Sequence, residues 1–169
     1  TWTHSDYGLN PEHPPLLKLL ATIPLLSSQP KPPELLDRNF KEAAFLGGKQ
    51  FLYQNNAEQI LFQTRMFAAS LTLLLALLVF IGTKEMFGTA AAFVALTLIT
   101  FDPNLLAHGA LVTTDAGLSC FMFASVYSFY RYVKCPTIWR LIVAGVAVGL
   151  VLSVKHTGIL VLPIPFLLV

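Results

Sequence analysis

Residues 66–83, Met66-Phe-Ala-Ala-Ser-Leu-Thr-Leu-Leu-Leu-Ala-Leu-Leu-Val-Phe-Ile-Gly-Thr83, carry no charge, and Lys84 and Glu85 close the run. A helix that crosses the hydrocarbon layer of a bilayer needs about 17–25 mostly apolar residues. This stretch is long enough by itself. Three more apolar runs follow, and each breaks at a charge: Phe87–Phe101 at Asp102, Ala116–Tyr130 between Asp115 and Arg131, and Leu141–Val154 at Lys155. The pattern names the solvent as lipid, with polar residues gathered at two faces. The expected fold is an all-α, polytopic transmembrane protein. Spans are expected at 66–83, 87–106, 115–133 and 140–157, followed by the start of another apolar segment. Residues 65–169 form the transmembrane region, and residues 1–64 an extracytoplasmic loop with interfacial helices.

Composition supports lipid as the solvent. The chain is 55% hydrophobic and 12% charged, where a soluble domain carries about 25% charged residues. Its mean hydropathy is +0.66. A net charge of +2 says little about partners. No Lys/Arg block suggests nucleic acid, so no nucleic-acid partner is expected, and no Gly-rich phosphate loop of the nucleotide-binding type is present. Two cysteines, Cys120 and Cys135, are too few for a disulfide framework and read as free thiols. The chain opens at Thr1 without an initiator Met and stops inside an apolar run at Val169, so it reads as a piece of a longer membrane protein.

Upstream of the first span, prolines set the local structure. Leu16–Leu26 is too short to span and reads as a short helix begun after Pro14-Pro15 and ended or kinked at Pro24. Glu34–Leu46 is amphipathic, with Gly47-Gly48 expected to stop it. Asn55 or Asn56 can cap the helix that enters the first span near Arg65. Lys84-Glu85 is expected to be a tight turn, Asp102–Thr114 irregular, and Lys134–Arg140 a short loop. Lys84, Arg131, Lys134 and Arg140 fall on one side if the runs alternate, which makes that side cytoplasmic.

The opposite face collects Glu12, His13, Lys18, Arg65, Asp102, Asn104, His108, Thr113, Thr114, Asp115, Lys155 and His156. Ionisable groups near lipid are costly and face a cavity or one another. Lys155-His156 is the sharpest case, because apolar residues flank it on both sides. A cation there needs an anion, either a phosphate at the membrane surface or Asp115 from the neighbouring span. Plainer readings stay open beside these. Lys155 could snorkel to the interface, Asp115 could cap the helix that begins with Ala116, Arg65 could mark the interface, and the histidines could be structural. Glu12-His13 could pair on a metal, but adjacent side chains point apart and no third ligand is evident, so a divalent metal is not indicated.

In order along the chain, Asn10-Pro-Glu-His-Pro-Pro-Leu-Leu-Lys18, Arg65 opening a span that ends in Phe87-Gly88, Asp102-Pro-Asn-Leu-Leu-Ala-His-Gly-Ala-Leu-Val-Thr-Thr-Asp115 and Ser153-Val-Lys-His-Thr-Gly158 make up a pattern. It resembles the lipid-carrier-dependent glycosyltransferases of the C-type superfamily, in particular the protein O-mannosyltransferase group and its bacterial relatives. The resemblance implies a donor sugar on a polyprenyl or dolichyl phosphate and a hydroxyl acceptor on protein, lipid or glycan. It also implies inversion at the anomeric carbon and an extracytoplasmic site. The wording of the motifs is nearer the bacterial relatives and suggests a bacterial inner membrane. By position, Lys155 matches the lysine that faces the lipid phosphate, Arg65 an important arginine at the start of the second span, and Asp115 an acidic position near the cavity. His156, Glu12, His13, Lys18 and His108 complete the candidate set for phosphate or substrate. The family's Asp-Glu pair, about twenty residues before His-Pro-Pro, would fall before Thr1. The main catalytic carboxylate is therefore expected upstream, and this stretch alone is expected to be inactive. A transporter or lipid-carrier translocase, and a non-catalytic scaffold of the same fold, are the rival readings.

Overall fold

The structure is a computed structural model and describes residues 13–33 and 40–163. Glu12 and the Glu34–Asn39 stretch lie outside those residues. Every regular element among the described residues is helical, in keeping with the all-α reading.

Two small elements come first. Helix α1, Leu16–Thr22, starts directly after Pro14-Pro15 and passes into a 3-10 turn, Ile23–Ser27, with Pro24 in its first turn. Leu17, Ala21 and Leu25 repeat every four residues and form the buried stripe of this unit. Helix α2, Phe40–Gln54, continues through Gly47 and Gly48 instead of stopping there. Gly47 is buried against Pro33, and that packing offsets the intrinsic cost of its glycine in a helix, about 1 kcal/mol, while Gly48 is exposed. The Asn55 side chain then ties α2 back to the Lys31 backbone, accepting from its N–H at 2.8 Å and donating to its carbonyl at 3.0 Å.

Helix α3, Ala57–Phe87, starts at an Asn56 cap whose side chain accepts from the Gln59 N–H at 3.2 Å. At 31 residues and ~1.5 Å rise per residue, it is ~46 Å long, more than the ~30 Å hydrocarbon layer. Arg65 therefore lies two turns inside the helix rather than at its start. Lys84-Glu85 forms the last helical turn instead of a loop. The chain reverses at Gly88, whose φ of 90° is a conformation side-chain-bearing residues rarely adopt.

Helix α4, Thr89–Thr100, packs back on α3, with Phe80 and Phe93 edge-to-face at 5.3 Å. It is shorter than the expected 87–106 span because Asp102 ends it and begins a new helix. Asp102 accepts from the Leu105 N–H at 2.8 Å, and Pro103 opens α5, Pro103–His108. The stretch expected to be irregular thus holds one short helix. Helix α6, Thr114–Lys134, and helix α7, Ile138–Val154, form an antiparallel hairpin. Arg140 closes its turn by donating from Nη1 to the carbonyls of Arg131 and Cys135 at 2.8 and 3.2 Å.

The core lies among α3, α6 and α7. Ala68, Leu75 and Gly82 recur every seven residues along the buried seam of α3, the period of helices that wind around each other. A Cβ at Gly82 would come within 3.2 Å of Phe123, so glycine is what lets α6 approach there. Ala144, Ala147, Val151 and Val154 form a matching stripe of modest side chains on α7. Leu73, Leu77, Phe93, Leu98, Ile142 and Val146 point outward and are exposed. An outer surface this apolar belongs in lipid rather than water. Among the described residues, helix α3 alone is both long and apolar enough to cross a membrane by itself, while α4 and α7 are shorter apolar helices.

Candidate functional site

Pairings between α3 and α6 fix which residues share an end of the bundle. Near one end, Thr72 on α3 donates from Oγ1 to the Gly109 carbonyl at 2.8 Å, just before α6. At the other, Tyr127 on α6 donates from its hydroxyl to Glu85 on α3 at 2.5 Å. The two helices are therefore parallel, and α7 returns between the same two levels. Arg65, Asp115 and Lys155 all lie toward the first end. Lys84, Arg131, Lys134 and Arg140 lie at the second.

At the first end, α7 stops at Val154 and Lys155 takes an extended conformation, φ −153° and ψ 144°. The chain then tightens into a 3-10 turn, His156–Val161. Gly158 allows this turn to fold onto α7, since a Cβ there would sit 2.6 Å from the Val151 carbonyl. The extended link directs the Lys155 side chain across to α6, where Nζ donates to Asp115 Oδ1 at 2.7 Å. The two partners differ in access: the Lys155 side chain is 24% exposed and that of Asp115 70%. The cation is held by the bundle, and its anion faces outward. Asp115 does not cap α6. That position belongs to Thr113, whose side chain makes no capping hydrogen bond.

Below Thr113 is a shallow cleft lined by Leu17, Phe67, Ala68, Leu71, Val112 and Gly117. Helix α1 forms one wall, and Leu17 packs so closely on Gly117 that any larger residue there would collide with it. Among the described residues, three buried polar atoms lack a hydrogen-bond partner: His13 Nδ1, Gln63 Oε1 and Thr113 Oγ1. Such atoms are scarce in folded proteins.

A family model described as dolichyl-phosphate-mannose-protein mannosyltransferase matches residues 10–169. The chain belongs to that family. No curated protein and no solved structure matches it. Membership makes the chain an integral membrane protein of a glycosyltransferase family that uses dolichyl-phosphate mannose, and its long apolar helix and apolar exterior agree.

Among the sequence candidates for the mannosyltransferase site, the structure joins Asp115 to Lys155 directly. It also joins Lys18 to His13, with the Lys18 Nζ donating to the His13 carbonyl at 3.3 Å. Arg65 is exposed on α3, His108 is exposed at the end of α5, and His156 is exposed at the start of the last 3-10 turn. None of these three makes a hydrogen bond or ion pair with Asp115 or Lys155. Asp102 is a helix cap. Glu12 lies outside the described residues. Gln63 escaped the sequence reading because a glutamine two residues before Arg65 looks like an ordinary interfacial residue. Only its burial without a partner sets it apart.

Proposed function

We propose that this chain carries the donor-phosphate site of a mannosyltransferase that moves a sugar from a polyprenyl or dolichyl phosphate to a hydroxyl on protein. The reaction inverts the anomeric centre and runs on the extracytoplasmic face, in a bacterial inner membrane as the motif wording favours. The observation that carries the reading is the Lys155 ammonium, held half-buried at the end of α7 against an exposed carboxylate.

As the acceptor oxygen bonds to the anomeric carbon, the bond from that carbon to the carrier's phosphate oxygen breaks, and the phosphate keeps the electron pair. The acceptor's proton passes to a carboxylate within hydrogen-bond reach. Negative charge grows on the phosphate, and a fixed cation beside it stabilises the transition state more than the ground state. Lys155 supplies that cation, with Arg65 and His156 as further contacts on the anionic head. Asp115 is the counter-ion that Lys155 exchanges for the phosphate, and once released it is available to accept the proton. A translocase would need its charges near the midplane and broken helices there, whereas Lys155 and Asp115 sit at helix termini.

The test uses the full-length protein in membranes, with Lys155→Ala and Asp115→Asn. Transfer from the lipid-linked donor should fall by about 100-fold or more for Lys155→Ala, at normal protein levels. Undiminished transfer by both variants would defeat the assignment. No transfer by the unmutated protein would point to a scaffold.

A further inference from the structure

We propose that the end of the bundle opposite Lys155 binds the head group of an acidic phospholipid, on Lys134 and Arg140 at the turn between α6 and α7, with Lys84 adding charge from the end of α3. The proposal is independent of the transferase reading and concerns a different surface.

Direct contacts bring these groups to one place. Arg140 donates from Nη1 to the carbonyls of Arg131 and Cys135, so its guanidinium lies against the last turn of α6, the turn that carries Lys134. Arg131 in that same turn stands 3.6 Å from Glu85, the residue after Lys84. The charges here do not balance. Within residues 84–88 and 131–140 there are four cations and a single acid, Glu85. That acid is already engaged by Arg131 and by the Tyr127 hydroxyl. Lys134 reaches the Tyr130 hydroxyl at 3.5 Å and lies 5.6 Å from the centre of its ring, neither of which is an anion. Among the described residues, Lys84, Lys134 and Arg140 have no carboxylate partner.

What surrounds the cations selects the partner. Phe87, Val133, Ile138 and Trp139 are large, apolar and exposed, and each lies within three residues of Lys84, Lys134 or Arg140. A free phosphate or an acidic peptide would answer the charge and leave these side chains in water. A phospholipid answers both. Its phosphate accepts from the ammonium and guanidinium groups, and its acyl chains cover the apolar residues. Trp139 beside Arg140 suits the head-group level, where indole rings are enriched. A zwitterionic head group brings its own cation and leaves the excess positive charge unanswered, so the lipid is an acidic one. The chain is an integral membrane protein, and lipid adjoins this end without having to be recruited.

The experiment uses the full-length protein in vesicles of phosphatidylcholine and phosphatidylglycerol, with a fluorophore on Cys135 and other accessible cysteines replaced. Cys135 is exposed in the turn itself, so quenching by a brominated lipid reports binding at this site. At equal membrane fraction, brominated phosphatidylglycerol should associate about tenfold more strongly than brominated phosphatidylcholine, and rising salt should weaken the preference. Lys134→Gln should cut it by about fivefold and Lys84→Gln by a similar factor, while Lys134→Arg should keep it. Both lysines are exposed, so the melting midpoint should stay unchanged in all three variants. Equal quenching by the two lipids in the unmutated protein would overturn the site, as would a preference untouched by both Lys→Gln changes. Loss of quenching on adding millimolar glycerol phosphate would show a site for a free anion and overturn the assignment to lipid.

Discussion

Each end of the helix bundle has an ion pair that bridges two helices, and the two pairs are built differently. At the Arg131 end, Glu85 is held from two sides. The Tyr127 hydroxyl donates to it at 2.5 Å, and Arg131 Nε stands 3.6 Å from the same oxygen. The Arg131 guanidinium also lies 5.9 Å from the Tyr127 ring centre. Glu85 and Arg131 each have more than one neighbour, and both lie on continuous helix. At the Lys155 end a single contact joins the helices. It springs from a residue in extended conformation, and its carboxylate is largely exposed. Thr113 Oγ1, two residues before Asp115 in sequence, is buried and unpaired. The first arrangement closes a structure. The second leaves its carboxylate open to solvent.

The largest expected difference between the ends is functional. Lys155→Ala should reduce transfer by at least about 100-fold with little change in thermal stability, while Arg131→Ala should leave kcat within about threefold. Parallel turnover and melting measurements in detergent would show this. Equal activity losses at both ends would break the comparison.

Gly158→Ala should be strongly destabilising near the Lys155 end. The added methyl would meet the Val151 carbonyl at 2.6 Å, and overpacking of this kind costs about 1–3 kcal/mol. Because Gly158 sets the turn after Lys155, activity should fall with it, and a melt together with a transfer assay would reveal both. Tyr127→Phe sharpens the other end. Losing the hydroxyl leaves Glu85 with Arg131 alone and should cost about 1 kcal/mol, read as a lowered melting midpoint at unchanged KM. The smallest effect belongs to neither end. A Cβ at Gly48 meets nothing within 4 Å, so Gly48→Ala should stabilise α2 by about 0.5–1 kcal/mol, and thermal unfolding should register the gain.

Where a local rule decided the outcome, the sequence was readable. Pro14-Pro15 set the start of α1, Asn56 capped α3, and the charges closing apolar runs marked where helices end at Asp102 and Lys155. The pairing of Lys155 with Asp115 was also legible, because a cation among apolar residues has few possible anions. Tertiary context hid the rest. Packing of Gly47 against Pro33 helped carry α2 onward, and Lys84-Glu85 stayed helical because Gly88 could make the turn instead. Gln63 and Thr113 could not be singled out, since whether a polar atom lacks a partner depends on what folds around it. The Asp115 capping reading failed for a related reason, as Thr113 took the position and Lys155 took the carboxylate.

Helix α7 has 17 residues, which at ~1.5 Å each makes a rod of ~26 Å, several ångströms short of a typical hydrocarbon layer. One accommodation of so short a rod is a leaflet that thins around it, at a modest energetic cost per ångström. The dimple would lower neighbouring head groups to the depth of the Lys155 ammonium. A carrier lipid could then dock from the side with its tail still immersed, and the shortness of one helix would do the work of a lift.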